Sequence, residues 1–160
     1  MHKDKFFRAN VGVIIINSKG QVLAFERTEH ENSWQFPQGG IDRKESPKTS
    51  IEREIHEETG IKPNSELKYL DEYKDWIAYE LPKKMRKKWI GRGQVQKWFL
   101  YKVMNDDIEL DLENIPNNEF SKWCWIDMEE LVEIVIPFRK PTYIKLLKWL
   151  KERKTATNNG

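Results

Sequence analysis

The chain has 160 residues, of which 28 are Lys or Arg and 26 are Asp or Glu, so its formal net charge is +2. This length suits a single domain with a real hydrophobic core. The near-neutral balance argues against a globally basic nucleic-acid binder, while it permits a local basic patch.

Six segments carry the apolar or alternating patterns of β-strands. Residues 11–16 form a continuous β-branched run, and the turn signal Asn17-Ser-Lys-Gly20 follows it. We therefore expect residues 21–26 to complete a hairpin. The remaining strand predictions are a short strand at 34–36, one or two strands within 67–81, and single strands at 94–103 and 123–126.

Three segments predict helices. The first lies between Ser46, a good N-cap, and Gly60, which is placed to end a helix in the left-handed conformation. Residues 128–134 also predict a helix, and residues 141–153 carry an apolar stripe. The polar residues 154–160 predict a disordered tail on a single domain spanning 1–153. Strands mixed with helices favour an α/β layered domain.

Three carboxylates, Glu54, Glu57 and Glu58, stand at positions i, i+3 and i+4 of the first predicted helix. This spacing places them side by side on one face. The cluster repels itself unless a cation lies there, and its oxygens suit a hard divalent ion such as Mg²⁺. For three Glu alone, a solvated acidic face is the usual interpretation. The preceding Gly39-Gly40 pair, where the backbone can approach an ion closely, favours the metal site.

Cysteine content and hydropathy bear on the compartment. Cys124 is the only cysteine of the sequence, so an intramolecular disulfide is excluded and a reducing cytoplasm is expected. No apolar run approaches the roughly 20 residues that a membrane span needs. Residues 1–16 are not followed by a small-residue cleavage site, so a signal peptide is not expected.

The segment from Gly39 to Ile61 resembles the Nudix box. That pattern is Gly, five residues, Glu, seven residues, then Arg-Glu-apolar-any-Glu-Glu-any-Gly-apolar. Its fixed positions are matched by Gly39, Glu45, Arg53, Glu54, Ile55, Glu57, Glu58, Gly60 and Ile61. The resemblance implies a Nudix fold, which is an α/β/α sandwich with a mixed β-sheet. It also implies hydrolysis of a nucleoside diphosphate linked to another group, with Mg²⁺ or Mn²⁺.

The resemblance also implies roles for single residues. The metal ligands would be the Gly39 carbonyl, Glu54, Glu57, Glu58 and, from outside the box, Glu119. Either Glu54 or Glu57 would also take the proton from the attacking water, and the sequence does not decide between them. Catalytic Arg53 is expected to pair with Glu45 and lock the loop to the helix, with direct phosphate contact as the alternative. For Glu119 the alternative is a solvated loop carboxylate.

Outside the box the chain is similar to bacterial RNA pyrophosphohydrolases, also described as diadenosine polyphosphate hydrolases of an invasion-associated type. The matching stretches are Phe7-Arg8 with Asn10-Val-Gly12, Ser33 to Gly40, Leu81-Pro-Lys83, Gln96 to Leu100 and Glu119-Phe120. That family removes pyrophosphate from the 5′ end of triphosphorylated RNA and so promotes mRNA decay. The alternative substrate is a diadenosine tetra- to hexaphosphate, which Tyr79 supports because such hydrolases carry a Tyr there.

The implied substrate-binding residues are Arg8, Arg27, Tyr79, Gln94, Gln96, Phe138 and Lys140. Arg8 and Phe138 would sandwich a base, worth roughly 1–3 kcal/mol for each stacked base, unless Phe138 is a core residue. Arg27 would clamp phosphate, or else pair with Glu26 or Glu29 at the surface. Arg139 and Lys140 could hold phosphates.

Other interpretations remain open at this level. The basic stretch Lys83-Lys-Met-Arg-Lys-Lys88 with Arg92 is either a solvated loop or a surface for RNA phosphates. A binding module with a dead site would lack a box acid, whereas Glu54, Glu57 and Glu58 are all present. A nucleoside triphosphate hydrolase would not need Arg8 and Phe138. The oligomeric state is left open, with a monomer favoured.

Overall fold

The computed structural model describes residues 6–86 and 91–159 of the chain. Its strands are β1 (Phe7–Ile16), β2 (Val22–Arg27), β3 (Trp34–Gln35), β4 (Gln38–Gly40), β5 (Leu67–Glu72), β6 (Ile77–Glu80), β7 (Gly93–Val103) and β8 (Phe120–Ile126). The helices are α1 (Pro47–Thr59), α2 (Pro63–Glu66), α3 (Met128–Ile134) and α4 (Lys140–Asn159).

The strands form one mixed sheet of eight strands. Strand β1 pairs with β7 in parallel, from Phe7 opposite Gly93 to Ile16 opposite Lys102. The other described pairs are antiparallel: β1 with β2 and β4, β2 with β3 and β8, and β7 with β5 and β6. Strand β1 is central because its apolar run is buried on both faces, as the continuous β-branched pattern requires.

One face of the sheet packs against α1. Alternate residues of β1, namely Val11, Val13 and Ile15, share a hydrophobic cluster with Ile51 and Ile55 of that helix. The helix begins as expected, with the Ser46 hydroxyl accepting from the Thr49 backbone N–H. It ends at Gly60, which has a φ of 77°, a conformation open to glycine without strain.

The opposite face packs against α3 and α4. Ile14 of β1 and Trp98 of β7 lie in a second cluster with Leu131 of α3 and with Tyr143 and Leu146 of α4. The sheet is therefore sandwiched between α1 on one side and α3 with α4 on the other. This confirms the predicted α/β/α sandwich with a mixed sheet.

The structure departs from the sequence-based prediction at three places. The short elements β4 and α2 were not predicted, because neither is long enough to show a residue period. Residues 154–159, predicted as a disordered tail, continue α4 to Asn159. The helix continues although four of these six residues are Thr or Asn, which are weak helix formers. Arg153 donates to the Asp71 carboxylate of β5, which anchors the preceding part of α4.

No helix in the described ranges is long and apolar enough to cross a lipid bilayer.

Candidate active site

Helix α1 holds the acids of the box against strand β4. Ile51 and Ile55 are fully buried beneath the sheet, which fixes the rotation of the helix about its axis. Gly39 lies directly against Glu54, since a Cβ added at Gly39 would overlap the Glu54 carboxylate. A side chain at position 39 would therefore displace the Glu54 carboxylate.

Arg53 ties the loop before α1 to the acids on the helix. Its Nε donates to Glu45 Oε2 at 3.1 Å, and its Nη2 donates to Glu45 Oε1 at 3.1 Å and the Gly40 carbonyl at 3.2 Å. Its Nη1 donates to Glu54 Oε1 at 2.9 Å and to Glu57 Oε2 at 3.1 Å. The expected pair with Glu45 is present. Because a guanidinium has five N–H donors, this arrangement leaves none over for a phosphate.

Glu45 is held in its charged form by the same network. The Arg53 guanidinium, followed by the Ser50 hydroxyl, lowers the pKa of Glu45 from 4.5 to about 2. Ser50 Oγ donates to Glu45 Oε1 at 2.7 Å. The carboxylate raises the pKa of Arg53 in turn. This part of the box is a fully satisfied ion pair.

Glu58 has the opposite environment. Burial and then the neighbouring Glu119 charge raise the pKa of Glu58 far above its ordinary value. Burial also raises the pKa of Glu54, against the opposing effect of Arg53. Glu58 Oε2 is buried and has no hydrogen-bond partner among the described atoms. A buried carboxylate oxygen with two acidic neighbours and no donor is an unfavourable arrangement that a cation would relieve.

Glu119 reaches this site from the loop before β8. Its carbonyl accepts from the Thr28 backbone N–H at 2.9 Å, and Thr28 Oγ1 donates to the Asn118 carbonyl at 2.9 Å. The loop is thus fastened to the end of β2, where a register shift follows Glu26. These hydrogen bonds to Thr28 hold Glu119 near Glu58, although the two residues are distant in sequence.

A divalent cation fits these residues by the chemistry of its donors. In the part of the chain that the structure describes, no three His, Cys, Asp or Glu side chains are arranged around one point as metal ligands. Arg53 donates to one oxygen each of Glu54 and Glu57. Two features favour a cation here: one Glu58 oxygen has no described partner, and the Glu54 carboxylate lies directly against Gly39. Hard oxygen donors suit Mg²⁺. Glu54, Glu57, Glu58 and Glu119 could hold the ion. We call them the acidic site.

A second group of side chains lies on the other side of β4. Arg8, Gln94 and Tyr79 form a row across β1, β7 and β6, since Arg8 pairs with Gln94 and Gln94 with Tyr79. Phe138 packs on Tyr79 with ring centroids 5.9 Å apart. The Arg8 guanidinium lies over Gly40, where an added Cβ would be 3.3 Å from Nη2. We call Arg8, Gln38, Tyr79, Gln94 and Phe138 the polar slot.

Strand β4 connects the acidic site to the polar slot. Successive residues of a strand point to opposite faces, so Gly39 faces Glu54 while Gln38 and Gly40 face the slot. The Gln38 amide lies 3.4 Å from Gln94 Oε1. A ligand that spans both sites would therefore cross only the width of one short strand.

Gln96 was expected to reach substrate, and the structure corrects this. Its side chain is only 1% exposed. Its Nε2 donates to Asn10 Oδ1 at 2.8 Å and to Gln38 Oε1 at 3.1 Å, and its Oε1 accepts from Trp98 Nε1 at 3.2 Å. The alternation of β7 predicted the correct face but not the depth, because α4 covers that face.

The remaining predicted substrate residues differ in exposure. Arg27 is half-buried, and its Nε is buried without a hydrogen-bond partner in the described residues. Glu26 instead accepts from the Asn32 backbone N–H at 2.9 Å and lies 3.7 Å from Lys122, so the alternative pairing of Arg27 with Glu26 is not what the structure has. Lys140 is exposed at the first residue of α4.

Arg139 is not available for phosphates, contrary to expectation. It is 8% exposed, donates to Gln35 Oε1, and lies 5.1 Å from the Phe138 ring centroid. Phe138 itself is half-buried and belongs to the slot rather than to the core. Sequence reasoning missed Gln38 and Asn10, although Gln38 directly precedes the Gly39-Gly40 pair.

Part of the basic stretch after β6 is already paired. Arg86 Nη2 lies 3.4 Å and Arg92 Nη2 lies 2.6 Å from Glu80 carboxylate oxygens. Lys83 and Lys84 are exposed, whereas Lys87 and Lys88 lie outside the described residues. Two of the cations of this stretch thus share one carboxylate, Glu80.

Comparisons with known proteins agree with this geometry. Residues 6–150 match the NUDIX domain. The chain belongs to the Nudix family. Among curated relatives of this Nudix protein, one named RNA pyrophosphohydrolase from Rhodospirillum rubrum is 40% identical over 140 residues, 86% of this chain and 82% of the relative. Another of that name from Pasteurella multocida is 40% identical over 145 residues, 89% of this chain and 72% of the relative.

Solved structures show the same fold at low sequence identity. The E. coli dihydroneopterin triphosphate pyrophosphohydrolase superposes with a TM-score of 0.71 at 18% identity, over 89% of this chain and 97% of that one. A C. elegans Ap4A hydrolase superposes with a TM-score of 0.66 at 19% identity, over 91% of this chain and 98% of that one. At this identity the likeness establishes the Nudix fold alone.

Proposed function

We propose that this Nudix hydrolase is an RNA pyrophosphohydrolase that converts a 5′-triphosphate end of RNA into a 5′-monophosphate. Water supplies the oxygen that bonds to phosphorus, one phosphoanhydride bond breaks, and pyrophosphate leaves. The observation that carries the proposal is the placement of the acidic site and the polar slot on the two sides of β4. This arrangement suits a substrate with a polyphosphate chain at one end and a nucleotide base beside it.

The curated relatives support the choice of substrate. They share 38–40% identity over 86–89% of this chain and are named RNA pyrophosphohydrolase. The proposal is supported by the placement of Arg8 on β1 in the row with Gln94 and Tyr79, and of Phe138 against Tyr79, since a guanidinium and an aromatic ring can stack on a base. Loss of pyrophosphate exposes a 5′-monophosphate end, and this promotes decay of the remaining RNA. We place this activity in the cytoplasm.

The acidic site is proposed to bind Mg²⁺ or Mn²⁺ through Glu54, Glu57, Glu58, Glu119 and the Gly39 carbonyl. When bound, the cation supplies charge neutralisation at the phosphates and activation of water. Arg53 Nη1 occupies one oxygen of Glu54 and one of Glu57. The second oxygen of each carboxylate is left to accept a proton from water, so either residue can act as the base.

The substrate residues are assigned by their places around the slot. Arg8 and Phe138 bound the base, Gln94 and Tyr79 form its floor, and Arg27 and Lys140 hold phosphates with their charges. Arg53 positions the acids and does not bind phosphate, since its five donors are all engaged. Gln96 acts through Gln38.

The experiment compares two substrates side by side. We expect purified protein with Mg²⁺ to release pyrophosphate from 5′-triphosphorylated RNA, and Glu57→Gln to reduce the rate by about 100-fold or more. Glu133→Gln, an exposed acid of α3, is the matched control and should retain the wild-type rate. Absence of release by wild-type protein, or equal rates for wild type and Glu57→Gln, would contradict the proposal.

The second candidate function is hydrolysis of dinucleoside polyphosphates in the same site. Tyr79 was the feature in its favour. The structure buries Tyr79 to 7% exposure and directs its hydroxyl to Gln94, so its ring face is not free to stack on a second base. We therefore expect diadenosine tetraphosphate to compete with RNA but to be hydrolysed with a lower kcat/KM, which a competition assay measures.

A further inference from the structure

A cavity of about 700 Å³ lies between the sheet and the second half of α4. It is also bounded by the turn that joins β1 to β2, by parts of β5 and β7, and by the start of α3. We call it the distal cavity, because none of its lining residues belongs to the acidic site or to the polar slot. Its volume is typical of cavities that bind small molecules.

The interior of the distal cavity is aliphatic. Leu100 of β7 and Met128 of α3 are buried there, and four half-buried aliphatic residues also line it, namely Ile16, Leu70, Leu147 and Leu150. No aromatic ring is found among its lining residues within the described ranges. Because nucleotide bases bind single-strand sites chiefly by stacking on aromatic rings, this interior suits a flexible alkyl chain better than a base.

The rim of the distal cavity is mainly cationic. Five of its lining residues are Lys or Arg, and two are Asp or Glu. Lys151 lies 3.2 Å from Glu129, and Arg153 donates to Asp71. Three of the cations form no ion pair within the described part of the chain, namely Lys19, Lys102 and Lys154. They outnumber the one lining acid without an ion pair, Asp127, so the rim keeps a net positive charge.

Lys102 has an unfavourable neighbour in the sheet. It lies directly opposite Lys68 in the antiparallel pair of β7 with β5, and like charges at such positions destabilise a sheet. Asp106 offsets some of this charge, since its pKa is lowered first by hydrogen bonds from Ser18 and then by the charges of Lys102 and Lys19. An anion at the rim of the cavity would relieve the remaining repulsion.

The turn that carries Lys19 is held in place without a ligand. Asn17 is 5% exposed, and its Oδ1 accepts from the backbone N–H groups of Lys19 and Gln21 at 3.0 Å each. The Ser18 backbone N–H donates to Asp106 Oδ1 at 3.0 Å. A ligand at the rim therefore meets a turn that is already ordered, which lowers the entropic cost of binding.

We propose that the distal cavity binds an alkyl anion, that is, a chain of methylene groups that ends in a carboxylate or a phosphate. The chain lies along the aliphatic interior, and the head group accepts hydrogen bonds from Lys102 and Lys19 at the rim. Each methylene group removed from water tightens binding by up to about fourfold, and the lysines favour an anionic head over a neutral or cationic one. Binding there does not depend on the proposed function, because the acidic site and the polar slot take no part in it.

Isothermal titration calorimetry of the whole chain with sodium dodecanoate, below its micelle concentration, tests the proposal. We expect saturable binding of one molecule per chain, with a dissociation constant that rises as the probe is shortened to decanoate and octanoate. Dodecyl phosphate should also bind, whereas dodecyltrimethylammonium, which has the same chain and a cationic head, should not. Absence of saturable binding by both anions, or equally tight binding of the cationic probe, would overturn the proposal. Binding of only one anion would support it and identify the preferred head group.

Charge-reversal variants locate the head group. Lys102→Glu and Lys19→Glu should each weaken dodecanoate binding by about tenfold or more, because a charge-assisted hydrogen bond is replaced by repulsion. Lys102→Glu also places opposite charges across the strands at Lys68, so we expect no decrease in its melting temperature. Lys148→Glu, at an exposed position of α4 outside the cavity, is the matched control and should bind as wild type does. Dissociation constants unchanged in both rim variants would contradict the assignment.

Leu147→Trp locates the alkyl chain. The larger side chain fills part of the cavity, so dodecanoate should bind at least tenfold more weakly. Ile144→Trp, on the same helix at a position that is 50% exposed and outside the cavity, is the matched control. Circular dichroism shows whether each variant is folded, and the rim variants decide alone if Leu147→Trp is not. A folded Leu147→Trp variant that binds dodecanoate as tightly as wild type would show that the chain lies elsewhere and that the proposal is wrong.

Discussion

The acidic site and the polar slot occupy opposite sides of the three-residue strand β4, yet their polar groups are arranged in opposite ways. In the acidic site, burial raises the pKa of Glu54 and Glu58, and one Glu58 oxygen lacks a described partner. In the slot, hydrogen bonds connect the neutral amides of Gln96, Gln38 and Gln94 in series. We therefore propose that a bound cation would complete the acidic site, whereas the amides of the slot are held by one another without a ligand.

This difference has a physical origin. Like charges brought together out of water destabilise the folded state unless a counterion binds between them. Binding of a cation at the acidic site should therefore increase the free energy of unfolding. Neutral amides can be buried without a counterion if each donor finds an acceptor. We therefore expect mutations in the acidic site to trade stability against activity, and mutations in the slot to alter binding alone.

The largest effect should come from Glu58→Gln. We expect kcat to fall by about 100-fold or more, because a proposed metal ligand is lost. In a metal-free buffer with a chelator at neutral pH, the same variant should unfold at a higher temperature than wild type, because folding of wild type must protonate Glu58 whereas Gln needs no proton. Calorimetry with and without Mg²⁺ measures this, with Glu133→Gln as the control. A variant less stable than wild type in chelator would contradict the comparison.

Arg53→Lys should have the next largest effect, with a decrease in both activity and stability. Lys cannot reproduce five directed N–H donors, so Glu45 and the Gly40 carbonyl lose their partner. We expect the free energy of unfolding to fall by about 2 kcal/mol and kcat to fall by about tenfold or more, because Glu54 and Glu57 lose their orientation. Urea unfolding measures the first and steady-state kinetics the second. An unchanged unfolding midpoint would show that Arg53 does not hold the box together.

Phe138→Ala should act on binding alone. Removing one side of the base sandwich should raise KM for triphosphorylated RNA by about tenfold, with kcat nearly unchanged, since Phe138 lies in the slot and not in the acidic site. Ile136→Ala, a partly exposed residue in the same segment, is the matched control. A fall in kcat without a change in KM would place Phe138 in the chemistry instead.

Much of the acidic site could be predicted from the sequence, because its residues are close together in the chain. The spacing of Glu54, Glu57 and Glu58 and the caps at Ser46 and Gly60 determine the helix and its acidic face. The interactions that form this helix join residues close in sequence, so its prediction did not depend on tertiary contacts. The α/β/α layers could also be predicted, because the apolar pattern of each strand and helix marks the face that is buried.

The slot could be predicted only in part, because its geometry is set by contacts distant in sequence. Alternation along β7 placed Gln94 and Gln96 on one face, but only the packing of α4 on that face shows that Gln96 is buried. The role of Gln38 depends on β4 pairing with β1, and three residues are too few to show a strand period. The pairing of Arg139 with Gln35 was equally invisible in the sequence.

The smallest expected effect is on the pH dependence of the free energy of unfolding. It compares Glu45, which pairs with Arg53, with Glu58, which lies among other acids. The lowered pKa of Glu45, about 2 against 4.5, means that its stabilising contribution is present above pH 4.5 and is lost as the pH falls toward 2. The raised pKa of Glu58 has the opposite sign, since in metal-free protein its folded state keeps a proton that the unfolded state releases above pH 4.5. The stability difference between wild type and Glu45→Gln should therefore shrink below pH 4.5, while the advantage of Glu58→Gln over wild type should grow above it. Urea unfolding of the three proteins from pH 3 to pH 8 with a chelator measures both slopes. For each variant the compared quantity is the free energy of unfolding of wild type minus that of the variant, which should rise with pH for Glu45→Gln and fall with pH for Glu58→Gln. If it changed in the same direction for both variants, the charged pair at Arg53 and the crowded acids at Glu58 would not differ as the structure indicates.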